Sequence, residues 1–183
     1  DTIVVYTADQ GYWLGQHGFY DKRLILETSM RMPFLIRYPR MIKPGSVNKD
    51  LCINVDLAPT LLELAGLKAP AAMQGRSMAP LLKGKAPGDW RQSQFYTYWG
   101  APNHYGIRTE RYTYLKLEGH PAELFDRETD PNQVHNVAAN TENKAVVKRL
   151  EKELLKQIRE VDIRQDELPS SSKDKEKKKK PRK

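Results

Sequence analysis

Four short runs, Phe95–Trp99, Tyr105–Arg108, Tyr112–Leu117 and Glu123–Asp126, limit the fold more than any other feature of the chain. They are aromatic or apolar, too short for stable helices, and separated by turn-forming residues. That pattern predicts a small antiparallel sheet. The stretch that follows has a different period. Over Asn143–Val161 the residues Val146, Leu150, Leu154, Ile158 and Val161 form one apolar stripe of an amphipathic helix. A few short strands and one long helix can bury their apolar faces together, which gives a small α+β subdomain.

The first half reads differently. Thr2–Ala8 is an apolar, β-branched run that predicts a core strand, and it ends at Asp9-Gln10-Gly11. Polar groups at the C-terminal end of such a strand are where α/β sheets usually keep their sites. Residues 12–32 read as irregular, with a short helical stretch near Leu24–Ser29. Pro33–Tyr38 is a second strand and Pro44-Gly45 a turn. Asp56 is a candidate N-cap for a helix over Leu57–Ala65, with Pro59 in its first turn and Gly66 as its stop. Leu57, Leu61 and Leu64 are expected on its buried face. These elements argue for the end of a layered α/β domain over 1–85, the small subdomain over 86–163, and a Lys-rich disordered tail over 164–183. The chain opens inside an apolar run, so it reads as a fragment of a longer protein.

The net charge of +8 belongs mostly to the tail. Lys173–Lys183 carries eight Lys or Arg against Asp174 and Glu176, a local excess of six, which leaves about +2 for the rest. No aromatic residues interleave those cations, so a nucleic-acid partner is not expected. No run of 18 apolar residues is present, so no membrane span is expected in this segment. The single cysteine, Cys52, cannot form an internal disulfide and reads as a small buried apolar residue. Trp13, Trp90 and Trp99 read as packing residues.

The segment from Tyr6 to Arg23 holds the candidate chemistry. Asp9 and Gln10 offer adjacent hard oxygen donors of the kind Ca²⁺ or Mg²⁺ takes. Lys22 is a point cation suited to an anionic substrate. Gly11, Gly15 and Gly18 let the loop between them fold tightly. Taken alone, Asp-Gln-Gly is also a common turn, and Lys22-Arg23 is also a solvated surface pair.

This segment resembles a motif of the sulfatases: Asp-(Asn/His/Gln)-Gly, then Leu-Gly-(Glu/Gln)-His-Gly, then a Lys. Other parts resemble the family in the same order: Arg31–Pro39, Asn54–Gly66, Gly75–Gly84, Gly106–Tyr112 and Glu123–Pro131, with Asn136 continuing the last. The resemblance covers about residues 1–160 and implies the C-terminal part of an alkaline phosphatase-like α/β/α sandwich. It implies one Ca²⁺ (or Mg²⁺) with Asp9 as carboxylate ligand and Gln10 as its neighbour, where Asn or His is commoner. Lys22 would bind the sulfate group and act in catalysis, and His17 would approach the substrate. His104, beside aromatic residues, would contact a sugar. The nucleophile of the family is a formylglycine made within Cys/Ser-x-Pro-x-Arg. That motif does not occur here, and Cys52 is followed by Ile53-Asn54, so the isolated chain is expected to be inactive. A sulfated carbohydrate is the implied substrate, and a periplasmic, secreted or lysosomal location is implied. Two alternatives stand beside this reading: a phosphate mono- or diester hydrolase of the same superfamily, and a non-catalytic binding protein that keeps the fold.

Overall fold

A computed structural model describes residues 2–100, 103–164 and 168. The strands in chain order are β1 (Val4–Thr7), β2 (Trp13–Leu14), β3 (Tyr20–Asp21), β4 (Phe34–Arg37), β5 (Ser93–Tyr98), β6 (His104–Thr109), β7 (Tyr112–Leu117) and β8 (Glu123–Asp126). The helices are α1 (Glu27–Met30), α2 (Leu57–Leu64), α3 (Ala79–Leu82) and α4 (Lys144–Glu160). The chain divides into two compact units. One holds the residues up to Asp9 with Met32–Gln92, and the other holds Gln10–Arg31 with the residues from Ser93 onward.

In the first unit β1 and β4 form an antiparallel pair, with Val5 opposite Ile36 and Tyr6 opposite Leu35. Met78, Leu81 and Trp90 form its buried cluster, against which Phe34, Cys52 and Leu57 pack. Cys52 is thus a partly buried packing residue, as the sequence implies. Helix α2 starts where expected, but Leu61 is exposed and Thr60 is buried in its place. The Thr60 hydroxyl donates to the Asp56 carbonyl at 2.5 Å and accepts from the Met78 N–H at 2.8 Å. Those two bonds make a polar residue the better one to bury.

In the second unit β5–β6–β7–β8 form a four-stranded antiparallel sheet in sequence order. Ile107 lies opposite Phe95 and Tyr114, and Tyr114 opposite Leu124. Leu150, Leu154 and Ile158 of α4 bury against Phe95, Ile107, Tyr114 and Leu124. Val161 lies just past the end of α4 and is exposed, so the apolar stripe is one residue shorter than the sequence pattern implies. On the opposite sheet face, Leu115 and Phe125 pack with Trp13 and Leu26. This second cluster is why Gln10–Arg31 belongs with the sheet, and not with residues on the near side of a single break around residue 85. Trp13 and Trp90 are buried, as packing residues should be, whereas Trp99 is exposed. The Lys-rich tail expected over 164–183 lies outside the described residues except for Arg164 and Leu168. Among the described residues no helix is long and apolar enough to cross a membrane.

Candidate functional site

The loop between β1 and β4 carries most of the candidate chemistry. Asp9 is exposed and Gln10 half-buried at its start. Gly11 follows because nothing larger fits. A Cβ there would lie 2.1 Å from the Thr28 carbonyl oxygen and 2.8 Å from that of Arg31. The Gly11 N–H donates to the Ser29 carbonyl at 2.9 Å, so the start of the loop is laced directly to α1. Backbone contact at that range excludes any side chain.

The glycine-rich middle then turns sharply. Gly15 takes φ 111° and His17 takes φ 56° inside a short 3-10 turn. The Gln16 side chain accepts from the Leu14 N–H at 2.7 Å. His17 is exposed, yet it is held on two sides. Its Nε2 is 2.7 Å from the Asn132 carbonyl oxygen, to which it donates, and its ring meets Trp13 edge-on at 5.1 Å. Lys22 follows β3 and is exposed. The carboxylate beside it, Asp21, is engaged by Arg23 Nε at 2.7 Å.

The far end of the loop is anchored below the surface. His104 opens β6 and is fully buried. Its Nε2 accepts from the Ile25 N–H at 3.1 Å, which fixes the ring proton on Nδ1. A sugar cannot reach a ring with no exposed surface, so the substrate contact expected at His104 is corrected to a structural role. The sequence places His104 among aromatics, and one is indeed near, with Tyr98 at 5.4 Å. Tyr98 itself is half-buried, and the next aromatic, Trp99, is exposed.

Glu27 is the centre of a partly buried ion network. Its carboxylate takes Arg108 Nε at 2.7 Å and Nη2 at 3.2 Å, with Arg127 Nη1 at 3.5 Å. Burial works against the charge on Glu27, but the hydrogen bond and charge of Arg108, with Arg127 behind it, hold the carboxyl below its ordinary value. Burial pulls the Arg127 guanidinium below its ordinary value. The Glu27 backbone N–H donates to Gln133 Oε1 at 2.6 Å. Sequence reasoning misses Gln133, Asn132, Arg127 and Arg108. The runs Gly106–Tyr112 and Glu123–Pro131, with Asn136, resemble family segments and mark that neighbourhood without singling out these residues.

Of the expected site residues, the structure therefore puts His17 and Lys22 on one well-anchored exposed loop and His104 beneath it. Among the described residues no three His, Cys, Asp or Glu side chains converge as a metal cluster.

Comparison with known proteins defines the class. Residues 15–160 match the family described as N-sulphoglucosamine sulphohydrolase, C-terminal, and the chain belongs to this sulfatase family. An N-acetylglucosamine-6-O-sulfatase of Bacteroides thetaiotaomicron is 40% identical over 170 residues, 87% of this chain and 30% of its own length. A solved structure in complex with its substrate D-glucosamine-2-N,6-O-disulfate superposes with a TM-score of 0.82 at 38% identity, covering 86% of this chain and 34% of the other. A phosphonate monoester hydrolase from Silicibacter pomeroyi superposes at 0.75 with 30% identity, covering 87% and 35%. The neighbours include sulfatases of the alkaline phosphatase-like fold, in agreement with the fold class the sequence implies. The chain spans about a third of the length of these relatives.

Proposed function

We propose that this chain forms part of a sulfuric-ester hydrolase that acts on a sulfated carbohydrate, with sulfated glucosamine as the substrate class. The observation that carries this reading is the 40% identity to an N-acetylglucosamine-6-O-sulfatase across 87% of the chain. The exposed Lys22 on an anchored loop supports it chemically. In this reading the Lys22 ammonium pairs with sulfate oxygens and offsets the charge that grows as the S–O bond breaks. His17 lines the approach to the same group.

The donor chemistry of Asp9 and Gln10 fits a hard cation, Ca²⁺ or Mg²⁺. Two oxygens are fewer than the roughly six to eight that Ca²⁺ takes, so they form part of a ligand set. Gln10 is the weaker candidate, because its amide sits one methylene farther out than that of Asn. A cation there would act as a Lewis acid on the ester. The formylglycine nucleophile belongs, in this reading, to a part of the protein outside this sequence, and the 183 residues alone are proposed to be inactive.

Release of sulfate from glucosamine-6-sulfate by a full-length protein carrying this sequence tests the reading. Lys22→Ala is expected to lower turnover by roughly 10²-fold or more, and Asp9→Ala to lose bound metal and activity together. Normal turnover in Lys22→Ala would return that residue to the solvated surface. A second reading, phosphate or phosphonate ester hydrolysis, is favoured by the likeness to a phosphonate monoester hydrolase. Both esters present a tetrahedral anion to the same cations, so the assay includes a phosphonate monoester beside the sulfate.

A further inference from the structure

Gln133 is buried, lies in a surface turn, and takes φ 57°, the left-handed region that a residue with a Cβ enters at a cost. Only one end of its amide is used. Oε1 accepts from the Glu27 N–H at 2.6 Å, while Nε2 is buried without a partner among the described residues. A buried donor left without an acceptor has lost its hydration with nothing in return. A side chain kept at both costs is kept for the acceptor it presents.

What that acceptor holds is specific. Asn132, the residue before it, takes the His17 Nε2 proton on its carbonyl at 2.7 Å. Two successive residues of one turn thus grip the loop at positions 17 and 27, five residues on either side of Lys22. The same turn begins at Arg127, which reaches the Glu27 carboxylate at 3.5 Å. It is itself braced by Asp130, whose carbonyl accepts the Gln133 N–H at 3.0 Å and whose carboxylate accepts the His135 N–H at 2.8 Å. Asn136 Oδ1 accepts the Leu124 N–H at 3.0 Å and so ties the end of the turn to β8.

We infer that Gln133 is a positioning residue for the sulfate-binding loop: its amide oxygen, acting with the Asn132 carbonyl, fixes the segment that carries Lys22. The inference rests on the sulfatase reading of Lys22 given above. Gln133 touches no substrate. It acts by holding the backbone on both sides of a cation whose charge must meet the transition state.

Two variants in the full-length protein test this. Gln133→Met keeps the volume and removes the acceptor. Gln133→Glu keeps an oxygen acceptor at the same distance along the side chain, replaces the donor that has no partner with a second oxygen, and adds a carboxyl charge in a buried position. Amide hydrogen exchange followed by mass spectrometry reads the Glu27 N–H in a peptide over residues 23–31. Steady-state kinetics on glucosamine-6-sulfate reads the chemistry. Gln133→Met is expected to speed Glu27 exchange roughly tenfold or more and to lower kcat roughly 10–100-fold with KM within about twofold. Gln133→Glu is expected to restore both. Faster exchange with kcat unchanged in Gln133→Met would overturn the positioning role, and so would unchanged exchange. If the unaltered protein releases no sulfate, the sulfatase reading fails first, and the role of Gln133 falls with it even where exchange responds.

Discussion

Both units use a buried or partly buried carboxylate to tie distant segments together, and they differ in how completely the buried polar groups of the same unit are satisfied. In the first unit Asp56 has no exposed surface. It accepts the Ile53 N–H at 3.0 Å, the Arg76 N–H at 2.8 Å and a two-pronged guanidinium from Arg91, one prong at 2.8 Å. Trp90 lies under both arginines, 4.9 Å from Arg76 and 5.0 Å from Arg91. In the second unit Glu27 is also gripped by arginines, but Trp13 Nε1, Arg127 Nε and Gln133 Nε2 are buried without acceptors among the described residues. A fully paired network serves as a lock. A network with orphaned donors gives up stability to keep particular groups in place, and here those groups surround the loop of the candidate site.

The largest expected effect falls on the complete network. Asp56→Ala would leave the half-buried Arg91 without its counter-charge and two backbone N–H groups without acceptors. A loss of about 3–5 kcal/mol is expected, read from urea unfolding of the full-length protein. A loss below about 1 kcal/mol would mean that water reaches those donors, and the contrast with the second unit would weaken.

Glu27 is expected to matter less and to matter in a pH-dependent way. Its carboxyl lies below the ordinary value of 4.5 in the fold. The ionised form is therefore the one the fold favours. That stabilisation is present above the ordinary value and is lost as pH falls through the lower folded value. Glu27→Gln removes the charge at every pH. Near neutrality the variant is expected to be about 1.5–3 kcal/mol less stable, and the gap should close as pH drops below 4.5. Unfolding curves at several pH values check this. A gap independent of pH would show that hydrogen-bond geometry, not the Arg108 and Arg127 charges, carries the contribution of Glu27.

The same contrast explains what could be read in the sequence. Strands β7 and β8 match their sequence runs residue for residue, and α4 lacks only one residue at each end. These elements are written locally, in alternation, aromatic content and helical spacing. The two networks are not. Asp56 looks like an N-cap, and it does stand at the start of α2, but its carboxylate makes no cap bond there. It is drawn away by Arg91, 35 residues along the chain. Gln133 carries no local signal, since its importance lies in one bond to a backbone group 106 residues earlier. His104 misleads for the same reason: its aromatic neighbours are visible in sequence, but the Ile25 N–H that claims its ring is not. The motif that marks Asp9 and Lys22 as candidates is continuous in the chain, so it can be read without the fold, and the structure adds only that both side chains are exposed.

The smallest expected effect is a labelling rate in the unaltered protein, which reads the first network through chemistry. Cys52 packs beside the Met78–Leu81–Trp90 cluster. Burial, with the nearby Asp56 charge acting in the same direction, pushes its thiol from 9.0 up to about 11. At pH 8 its thiolate fraction should be about a hundredfold lower than that of an ordinary cysteine with the 9.0 value, and labelling by a thiolate-selective reagent slower to match. The two causes can be separated. Removing Asp56 takes away the second and leaves Arg91 to favour the thiolate, so Asp56→Ala should speed labelling even under conditions where the variant stays folded. A Cys52 that labels at the free rate in the unaltered protein would mean that the first unit opens readily, and its network could not then be the tighter of the two.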